Sequence, residues 1–264
     1  MRIEGAICVV TGGGGGIGEA LVAGFVREGA EAIVVTDRSA SAAADVAKKH
    51  GGGTTKVVDE ALDASDGAAI ERLIRSTEER FGRVDIVVSN AGLMHDGGLD
   101  LPLEIWERSW QVNTMAHVHA ARAAMPGMLA RGRGYFLNVS SAAGMLLAPG
   151  AAAYTATKHA ANGFAEWLAI AYADKGIGVS VLCPEAVQTN MLAESLAGGN
   201  AGVRKIAETG PILTATEVAD SAIAGMKEDR FLLLPHPNTL KNTQRKWADM
   251  GRWLAGMRGY LKSL

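Results

Sequence analysis

Tyr154 and Lys158 are the side chains in this sequence whose types and spacing best suit proton transfer. A spacing of four residues places both on one face of a helix, one turn apart. A free tyrosine has a pKa of about 10, which is too high for efficient proton exchange near neutrality. A nearby lysine cation favours the phenolate, so we expect Lys158 to lower the pKa of Tyr154. The alternative is an ordinary helix surface, on which such a pair often occurs.

A pair of serines, Ser140 and Ser141, ends a predicted strand upstream of this helix. In doubly wound sheets, ligands gather beyond the carboxyl ends of the strands. The serine hydroxyls are therefore expected to lie at the same site as Tyr154 and Lys158.

A glycine-rich segment from Thr11 to Gly18 follows the first predicted strand and opens the first predicted helix. A tight turn whose backbone approaches a pyrophosphate closely has no room for side chains, so it requires glycine. The helix N-terminus offers free N–H groups and a positive dipole end to phosphates. Asp37 ends the next strand, nineteen positions after Gly18 (37 − 18), where an acid can accept hydrogen bonds from an adenosine ribose. Its structural alternative is a helix cap.

Asp37 also indicates which dinucleotide binds. Its carboxylate would repel a 2′-phosphate, and the glycine segment contains no lysine or arginine to offset that charge. Arg38 is the neighbouring residue that could instead accommodate the phosphate. The sequence therefore predicts NAD(H) in preference to NADP(H).

Apolar runs of strand length alternate with helical patterns along the chain. Most runs are rich in Val, Ile and Leu without polar alternation, which is typical of parallel strands covered on both faces. The predicted strands are Ala6–Thr11, Ala32–Asp37, Thr54–Asp59, Val84–Ser89, Gly134–Ser140, Gly178–Cys183 and Phe231–Leu234. Helices are predicted over 65–81 and, after a capping box of Thr214 and Glu217, over 215–227. This alternation predicts an α/β fold with one doubly wound parallel sheet of about seven strands. Residues 1–237 would form a single dinucleotide-binding and catalytic domain.

Composition narrows the function classes. The formal net charge of −2 gives no electrostatic footprint for nucleic acid. Two isolated cysteines, Cys8 and Cys183, do not make a disulfide framework, so a reducing cytoplasm is expected. The first apolar run is too short for a signal peptide or a membrane span. We predict no catalytic metal, because five of the six histidines show no metal-ligand spacing: His95, His117, His119, His159 and His236.

Several motifs resemble those of the short-chain dehydrogenase/reductase family in its single-domain form. The segment Thr11-Gly12-xxx-Gly16-x-Gly18 is similar to the family's nucleotide-binding pattern. Further similarities lie in Asn90-Ala91-Gly92, Asn113, Asn138-Val-Ser-Ser141 and Tyr154-xxx-Lys158. The resemblance runs from about residue 4 to 235 and implies a Rossmann fold. Each motif is short, but their order and spacing together are specific.

The resemblance implies hydride exchange between a nicotinamide and a carbonyl or alcohol carbon. Tyr154 would act as general acid/base. Ser141, thirteen residues earlier (154 − 141), would hydrogen-bond the reacting oxygen, with Ser140 as its structural neighbour; the reverse assignment stays open. Lys158 would tune Tyr154 and hold the nicotinamide ribose. Asn113 would anchor a water relay from Lys158, its alternative being a polar residue that bends a long helix.

The resemblance also implies a set of dinucleotide-binding residues. They are Gly12, Gly14, Gly15, Gly16, Ile17, Gly18, Asp37, Arg38, Asp63, Ala64, Asn90, Ala91, Gly92, Tyr154, Lys158, Pro184, Val187 and Thr189. Asp63 would lie near the adenine ring, or it could be a helix N-cap. Val187 and Thr189 would meet the nicotinamide carboxamide, and Asn90 would pack near the cofactor.

Glu185 departs from the family pattern, which usually has glycine at this position of Pro-Gly-x-Val-x-Thr. Its carboxylate could point to solvent or line the substrate mouth. The predicted substrate-pocket residues are Met94, His95, Leu146, Leu147, Glu185 and Met191. The apolar ones could equally be ordinary core. Residues 190–213 are less regular and are predicted to form a flap over the substrate.

Residues 238–264 extend beyond the last predicted strand as a basic amphipathic helix, which we call the tail. Its apolar residues recur at three, four or seven positions: Leu240, Trp247, Met250, Leu254, Met257, Leu261 and Leu264. Its cations are Lys241, Arg245, Lys246, Arg252, Arg258 and Lys262, and Asp249 is its only acid. The tail could pack on a sister subunit, which we favour, cover the active site, or rest on an anionic membrane surface.

These features together predict a cytoplasmic, NAD-dependent alcohol dehydrogenase or carbonyl reductase with an apolar small-molecule substrate. By resemblance, a homotetramer or homodimer would form through helices over about 103–130 and 152–174. Nucleic acid is not an expected partner, and a membrane is a minor one. An NADPH-dependent biosynthetic ketoreductase is the alternative enzyme. A non-catalytic nucleotide-sensing or scaffold protein is the alternative of another class, but it would need no proton-transfer residues.

Overall fold

A computed structural model describes residues 1–263, without the side chain of Thr209. Leu264, the last residue of the predicted apolar tail pattern, lies outside the described residues. Seven strands form the central sheet: β1 (Ile7–Thr11), β2 (Ala32–Asp37), β3 (Lys56–Ala61), β4 (Ile86–Ser89), β5 (Gly134–Val139), β6 (Ile177–Leu182) and β9 (Leu232–Leu233). Two further strands, β7 (Val187–Gln188) and β8 (Leu213–Thr214), pair with each other.

The strand order in the large sheet is β3-β2-β1-β4-β5-β6-β9, and every neighbouring pair is parallel. No end of a predicted strand differs from the observed end by more than two residues. The prediction of a single-domain, doubly wound α/β fold is confirmed. The order reverses between β1 and β4, and the crevice beyond the strand ends at such a point is the usual ligand site.

Eleven helices accompany the strands within the described residues. They are α1 (Gly16–Arg27), α2 (Ala40–His50), α3 (Gly67–Phe81), α4 (Leu103–Trp110), α5 (Ala116–Arg131), α6 (Ala152–Tyr172), α7 (Asn190–Ala197), α8 (Ala201–Thr209), α9 (Ala215–Lys227), α10 (Asn238–Ala248) and α11 (Met250–Lys262). A π-helical turn, Gln111–Met115, joins α4 to α5. The predicted helices over 65–81 and 215–227 are confirmed as α3 and α9, and the capping box of Thr214 and Glu217 is formed.

Adjacent residues of a strand point to opposite faces of the sheet. Both faces are covered here, as is usual for parallel sheets, and each carries its own apolar core. Cys8 belongs to a core with Phe25 of α1 and Ile223 of α9. Val9 belongs to a second core with Leu73 of α3, and Met128 of α5 packs in the same cluster. The two cores hold the strand ends, and hence the loops beyond them, in fixed positions.

The segment 190–213, which the sequence predicts as a flap, contains the two short helices α7 and α8. Its contact with the rest of the chain includes Asp96, in the loop after β4. The Asp96 carboxylate accepts hydrogen bonds from the hydroxyl of Ser195, at 3.2 Å, and from the side-chain amide of Asn200. Asn200 also caps α8 by accepting from the N–H of Val203.

The tail forms two helices, so the prediction of one continuous helix is wrong. Asp249 interrupts it with extended backbone angles (φ −153°, ψ 92°) and accepts a hydrogen bond from the N–H of Arg252 at 2.9 Å. Aspartate is among the residues that most favour an N-cap position, which explains the break there. In the described part of the chain, none of the helices has both the length and the apolar character needed to cross a membrane.

Candidate active site

A cavity of about 780 Å³ lies beyond the carboxyl ends of the strands. Residues that follow β1, β2, β4, β5 and β6 line it, together with parts of α6, the segment 190–213 and the tail. Predicted site residues in its lining are Gly12, Gly14, Gly15, Gly16, Ile17, Asp37, Asn90, Ala91, Gly92, Met94, Ser141, Leu146, Leu147, Tyr154, Lys158, Pro184, Glu185, Val187, Thr189 and Met191. The structure thus brings most of the predicted residues to one site.

The glycine loop is tightly packed against its surroundings. Gly12 has φ +61°, and an ideal Cβ there would lie 2.7 Å from Cα of Ala91. A Cβ on Gly18 would lie 2.2 Å from the carbonyl oxygen of Gly12. The side-chain amide of Asn90 donates to the carbonyls of Thr11 (3.0 Å) and Gly12 (2.8 Å). Glycine is therefore required at both loop positions, and Asn90 fixes the loop to β4.

The start of α1 fits the phosphates of a dinucleotide. Its N-cap residue is Gly15, and no side chain caps the helix. The first N–H groups of a helix have no partner within it and attract anions. Gly14, Gly15 and Gly16 all line the cavity, so these N–H groups meet it without intervening side chains.

Asp37 lies at the end of β2 with its carboxylate held by two backbone groups. One oxygen accepts from the N–H of Gly14 at 3.2 Å, and the other accepts from the N–H of Ser39 at 3.0 Å. Ser39 itself caps α2 by accepting from the N–H of Ala42. The side chain of Asp37 lines the cavity, whereas Arg38 is exposed and does not.

Tyr154, Ser141 and Lys158 meet at the centre of the cavity lining. The side chain of Ser141 lies beside Tyr154, whose pKa it lowers, and its hydroxyl lies 3.4 Å from the carbonyl of Pro184. The hydroxyl of Ser140 instead donates to the main-chain carbonyl of Lys158 at 3.3 Å. Of the two serines, Ser141 is therefore the one directed at Tyr154.

Burial affects the pKa values of both Tyr154 and Lys158. It raises the pKa of Tyr154, although the side chain of Ser141 acts in the opposite direction. Lys158 Nζ lies 5.6 Å from the centre of the Tyr154 ring and donates to the carbonyl of Val139 at 3.0 Å. Burial lowers the pKa of Lys158 to about 8. Lys158 is not among the groups that act on the Tyr154 pKa here, and the expected lowering of that pKa by the lysine stays a prediction.

Asn113 lies in the π-helical turn and not in the cavity lining. Its Oδ1 accepts from the N–H of Leu93 at 2.9 Å, while its Nδ2 donates to the carbonyl of Leu93 (2.9 Å) and to Oγ1 of Thr157 (3.1 Å). Asn113 Oδ1 and Lys158 Nζ each lie 3.5 Å from the position that a Cβ on Gly92 would take. Asn113 therefore ties the loop after β4 to α6 close to Lys158.

Asp63 has a different partner from the one expected. Its carboxylate makes two contacts with one guanidinium nitrogen of Arg108, at 2.8 and 3.0 Å, and accepts from the N–H and hydroxyl of Ser65. These contacts, led by the Ser65 backbone N–H, hold the pKa of Asp63 below its usual range against the opposing effect of burial. Neither Asp63 nor Ala64 lines the cavity. The alternative role as a helix N-cap is wrong, because Asp66 caps α3, and the position of Asp63 near the adenine ring stays a prediction.

Two other predicted residues lie outside the lining. Gly18 packs beneath the loop against Gly12, and His95 is half-buried in the segment after β4. Their predicted contact with a ligand therefore finds no support in the shape of the cavity.

The tail provides the rest of the lining, which supports the alternative in which it covers the active site. The residues are Asn238, Asn242, Trp253, Met257 and Tyr260, of which the sequence-based prediction named Met257 as part of the apolar stripe. The predicted apolar stripe passed through Leu254 and Leu261, which are 50% and 46% exposed. The four- and three-residue spacing of Trp253, Met257 and Tyr260 was the available signal for the face that turns inward.

The part of the cavity away from the glycine loop, which we call the substrate end, is largely apolar. The whole lining contains few charges. Within the described residues that form it, Lys158 is the only lysine or arginine, and Asp37 and Glu185 are the only acids. Apolar residues from several elements, such as Leu147, Met191, Ile206 and Trp253, make up much of the remaining wall, with the amides of Asn190, Asn238 and Asn242 among them.

Comparison with known proteins places this arrangement in a family. Residues 6–199 match the sequence model of the family described as short chain dehydrogenase. The chain belongs to the short-chain dehydrogenase family. It is 33% identical over 263 residues to the 1-deoxy-11-beta-hydroxypentalenate dehydrogenase of Streptomyces avermitilis, covering 97% of this chain and 93% of that protein. It is 31% identical to the 3beta-hydroxysteroid dehydrogenase 2 of Eggerthella lenta, covering 86% of this chain and 85% of that protein.

A solved member of the short-chain family has the same architecture. This short chain dehydrogenase/reductase from Burkholderia phymatum, in complex with NAD, has a TM-score of 0.87 and 27% identity. The alignment covers 95% of each chain. The present chain is thus an oxidoreductase of the short-chain type, and the family resemblance of its sequence motifs is confirmed.

Proposed function

We propose that this protein is an NAD(H)-dependent dehydrogenase or reductase of neutral, apolar secondary alcohols and ketones. The observation that carries the proposal is the position of Ser141, Tyr154 and Lys158 in a cavity whose substrate end is apolar. A bound nicotinamide dinucleotide would supply the hydride acceptor for alcohol oxidation, or the hydride donor for ketone reduction. The chain's own residues would bind the alcohol and manage its proton.

Tyr154 is proposed as the general acid/base. Tyr154 and Ser141 both line the cavity and lie beside each other, so one substrate oxygen can contact both side chains. During oxidation Tyr154 would accept the alcohol proton, and during reduction it would return one. Lys158 would supply positive charge beside the phenolate and hydrogen bonds to the nicotinamide ribose. Asn113 would keep Lys158 in place through the loop after β4.

Three residues support the choice of NAD(H). Asp37 presents its carboxylate where a 2′-phosphate would meet like charge, while Arg38 is exposed and does not line the cavity. Lys158 is the only cation in the lining, and we assign it to the catalytic centre rather than to a phosphate. The solved relative in complex with NAD agrees with this preference. A dinucleotide carrying an extra phosphate would lack a partner here.

The apolar lining supports the proposed substrate class. A carboxylate, a phosphate or a carrier-bound ester would find no cation at the substrate end, which argues against the biosynthetic ketoreductase. The hydroxysteroid dehydrogenase among the relatives is named for a bulky, largely apolar alcohol. The complete proton-transfer set argues against a purely sensing or scaffolding role.

The proposal is tested with a panel of neutral secondary alcohols and ketones, together with hydroxy acids of similar size. Absorbance of the reduced nicotinamide reports turnover with NAD(H) and NADP(H). We expect turnover of neutral substrates with NAD(H) and poor turnover of the acids. Tight dinucleotide binding without turnover of any panel member would favour the sensing alternative instead.

We also propose a homo-oligomer formed through α4 and α6, which pack beside each other. These helices expose large apolar side chains: Leu103, Trp110, Trp167 and Ile170. Large exposed apolar side chains on neighbouring helices are consistent with a protein interface. Light scattering should give the mass of a dimer or tetramer, and a monomer at micromolar concentration would contradict the proposal.

Both cysteines support the proposed cytoplasmic location. Cys8 and Cys183 are buried and unpaired. A protein that needs no disulfide is stable in a reducing compartment. Cell fractionation followed by detection of the protein would test the assignment.

A further inference from the structure

Glu185, which departs from the family pattern, is in direct contact with the tail. Glu185 Oε1 accepts a hydrogen bond from the hydroxyl of Thr239, in the first turn of α10, at 2.7 Å. Thr239 is fully buried. His236 adds a second tie, because its Nδ1 accepts from the N–H of Glu185 (3.1 Å) and its Nε2 donates to the carbonyl of Ala186 (3.0 Å). The segment after β6 is therefore joined to the beginning of the tail.

A buried lysine ties the other end of α10 to the cavity wall. Lys246 is 8% exposed, and its ammonium donates to the carbonyls of Met145 (2.7 Å) and Leu146 (3.3 Å). It also lies 3.4 Å from Nε2 of His159 on α6. Leu146 and its neighbour Leu147 line the cavity, whereas Lys246 does not. The cation thus holds α10 against the wall without facing the ligand space.

The second tail helix covers the cavity with one face. Trp253, Met257 and Tyr260, at four- and three-residue spacing, are half-buried and line the cavity. In the described structure none of the three belongs to the hydrophobic cores of the domain. Their inward faces therefore meet the cavity and not the apolar side chains that cover the sheet.

We propose that α10 and α11 form the roof of the substrate chamber and select for bulk. In this proposal, which rests on the proposed function, Trp253, Met257 and Tyr260 contact the substrate directly. Glu185, Thr239 and Lys246 are positioning residues that hold the roof over Tyr154. The substrate class is a bulky, neutral, apolar secondary alcohol or ketone whose ring system lies under these side chains.

The chemistry of the roof suits such a substrate. Aromatic side chains offer large apolar contact areas, and a methionine thioether adapts its shape to irregular surfaces. A small alcohol that reaches Tyr154 and Ser141 would leave the roof without a partner. A bulky alcohol would displace water from the roof. The affinity for a bulky alcohol should therefore depend on the roof, whereas the affinity for a small alcohol should not.

The test compares Trp253→Ala and Met257→Ala with Leu254→Ala in the full-length protein. Leu254 is the matched control, because it lies on the same helix but is half exposed. The steady-state constants are measured with NAD⁺ for a fused-ring secondary alcohol and for 2-butanol. For the fused-ring alcohol we expect the roof variants to lower kcat/KM by about tenfold or more, mainly through KM. For 2-butanol, and for Leu254→Ala with either alcohol, the change should stay within about twofold.

The positioning residues are tested with Thr239→Val, which keeps the side-chain shape and removes the donor to Glu185. Thr243→Val is its control, because Thr243 is also buried on α10 but donates only to the carbonyl of Thr239. Lys246→Met is compared with the exposed Arg245→Met. We expect Thr239→Val and Lys246→Met to raise KM for the fused-ring alcohol severalfold, with kcat for 2-butanol unchanged.

The outcomes separate this proposal from the proposed function. Turnover of 2-butanol by the unmutated protein tests the function, and the ratio of the two substrates tests the roof. If neither alcohol is turned over, the proposed function fails. The roof is then tested by titrating the fused-ring alcohol against the NAD⁺-bound protein, and the dissociation constants of the roof variants are compared with that of Leu254→Ala. Equal effects of Trp253→Ala on both alcohols, or effects no larger than those of Leu254→Ala, would overturn the roof. Should Trp253→Ala fail to fold, Trp253→Leu and Met257→Ala decide the question.

Discussion

The carboxylate of Asp37 accepts a hydrogen bond from the backbone N–H of Gly14 at 3.2 Å. An ideal Cβ on Gly14 would lie 2.9 Å from that carboxylate, so the acid packs directly against the glycine loop. Two unit charges of like sign 4 Å apart near a protein surface repel by about 4 kcal/mol, before screening by salt. The packed position of Asp37 leaves it little freedom to retreat from a 2′-phosphate.

We therefore expect NAD⁺ to bind at least about tenfold more tightly than NADP⁺, which corresponds to about 1.4 kcal/mol. Asp37→Ala should narrow that difference by improving NADP⁺ binding. The dissociation constants of both dinucleotides are measured by fluorescence titration. Arg38→Ala serves as the control, because Arg38 is exposed outside the cavity. Equal dissociation constants in the unmutated protein would rule out the role given to Asp37.

Two glycines of the loop, Gly18 and Gly15, allow its contribution to stability to be separated from its contribution to dinucleotide binding. A Cβ on Gly18 would lie 2.2 Å from the carbonyl oxygen of Gly12, whereas a Cβ on Gly15 would meet no atom within 4 Å. Gly18→Ala should lower the free energy of unfolding by roughly 1–3 kcal/mol, as overpacking does. Gly15→Ala should keep its stability but weaken dinucleotide binding, because its methyl group would enter the cavity at the start of α1.

Urea denaturation and dinucleotide titration of both variants check this expectation. Gly15 has extended backbone angles (φ 175°, ψ 178°) that alanine can adopt, so its variant isolates the effect of the methyl group. A Gly18→Ala protein of normal stability would show that the loop is less closely packed than the structure indicates.

Tyr154→Phe removes the proposed proton carrier and keeps its ring. Turnover should fall by about a hundredfold or more, as for loss of a general acid/base. The dinucleotide dissociation constant should change little. Tyr135→Phe is a matched control, because Tyr135 is a buried tyrosine of β5 whose hydroxyl contacts Ser180 and lies outside the cavity. Near-normal turnover in Tyr154→Phe, measured by nicotinamide absorbance, would assign the proton to another group.

Local signals in the sequence predicted much of the fold. Strand ends, the capping box of Thr214 and Glu217, and the glycine loop each depend on residues close together in the chain. The same is true of the spacing of Tyr154 and Lys158. Such features were placed within about two residues, because short-range geometry determines them.

Contacts between distant segments account for what the sequence did not predict. Asp63 bonds to Arg108, 45 positions away, and Glu185 bonds to Thr239, 54 positions away. Neither partner can be identified from spacing. In the tail, two neighbouring apolar faces at helical spacing were both available, and only packing shows that the face with Trp253 turns toward the cavity. The pKa of Tyr154 likewise depends on burial, which a pair spacing does not show.

Lys158 links the chemistry of the site to the stability of the fold. Its ammonium is buried, and burial lowers its pKa from 10.5 to about 8. Below pH 8 the lysine is protonated in both the folded and the unfolded chain, so folding bears the full cost of burying the charge. Between pH 8 and 10.5 the unfolded chain binds more protons than the folded one. This group's contribution to the free energy of unfolding therefore rises with pH across that interval.

Lys158→Met removes this cost, so the variant should gain most over the unmutated protein at or below pH 8. Its advantage should shrink by up to about 3 kcal/mol as the pH approaches 10.5, since each pKa unit corresponds to about 1.4 kcal/mol. Burial, the largest cause of the raised Tyr154 pKa, is common to both proteins. The hydrogen bond from Nζ to Val139 is present with either form of the amine. Urea denaturation at pH 7, 8, 9 and 10 measures the difference, with Lys48→Met removing an exposed lysine of α2 as the control. A difference between Lys158→Met and the unmutated protein that stays constant from pH 7 to 10 would mean that Lys158 is not held as a buried, easily deprotonated amine.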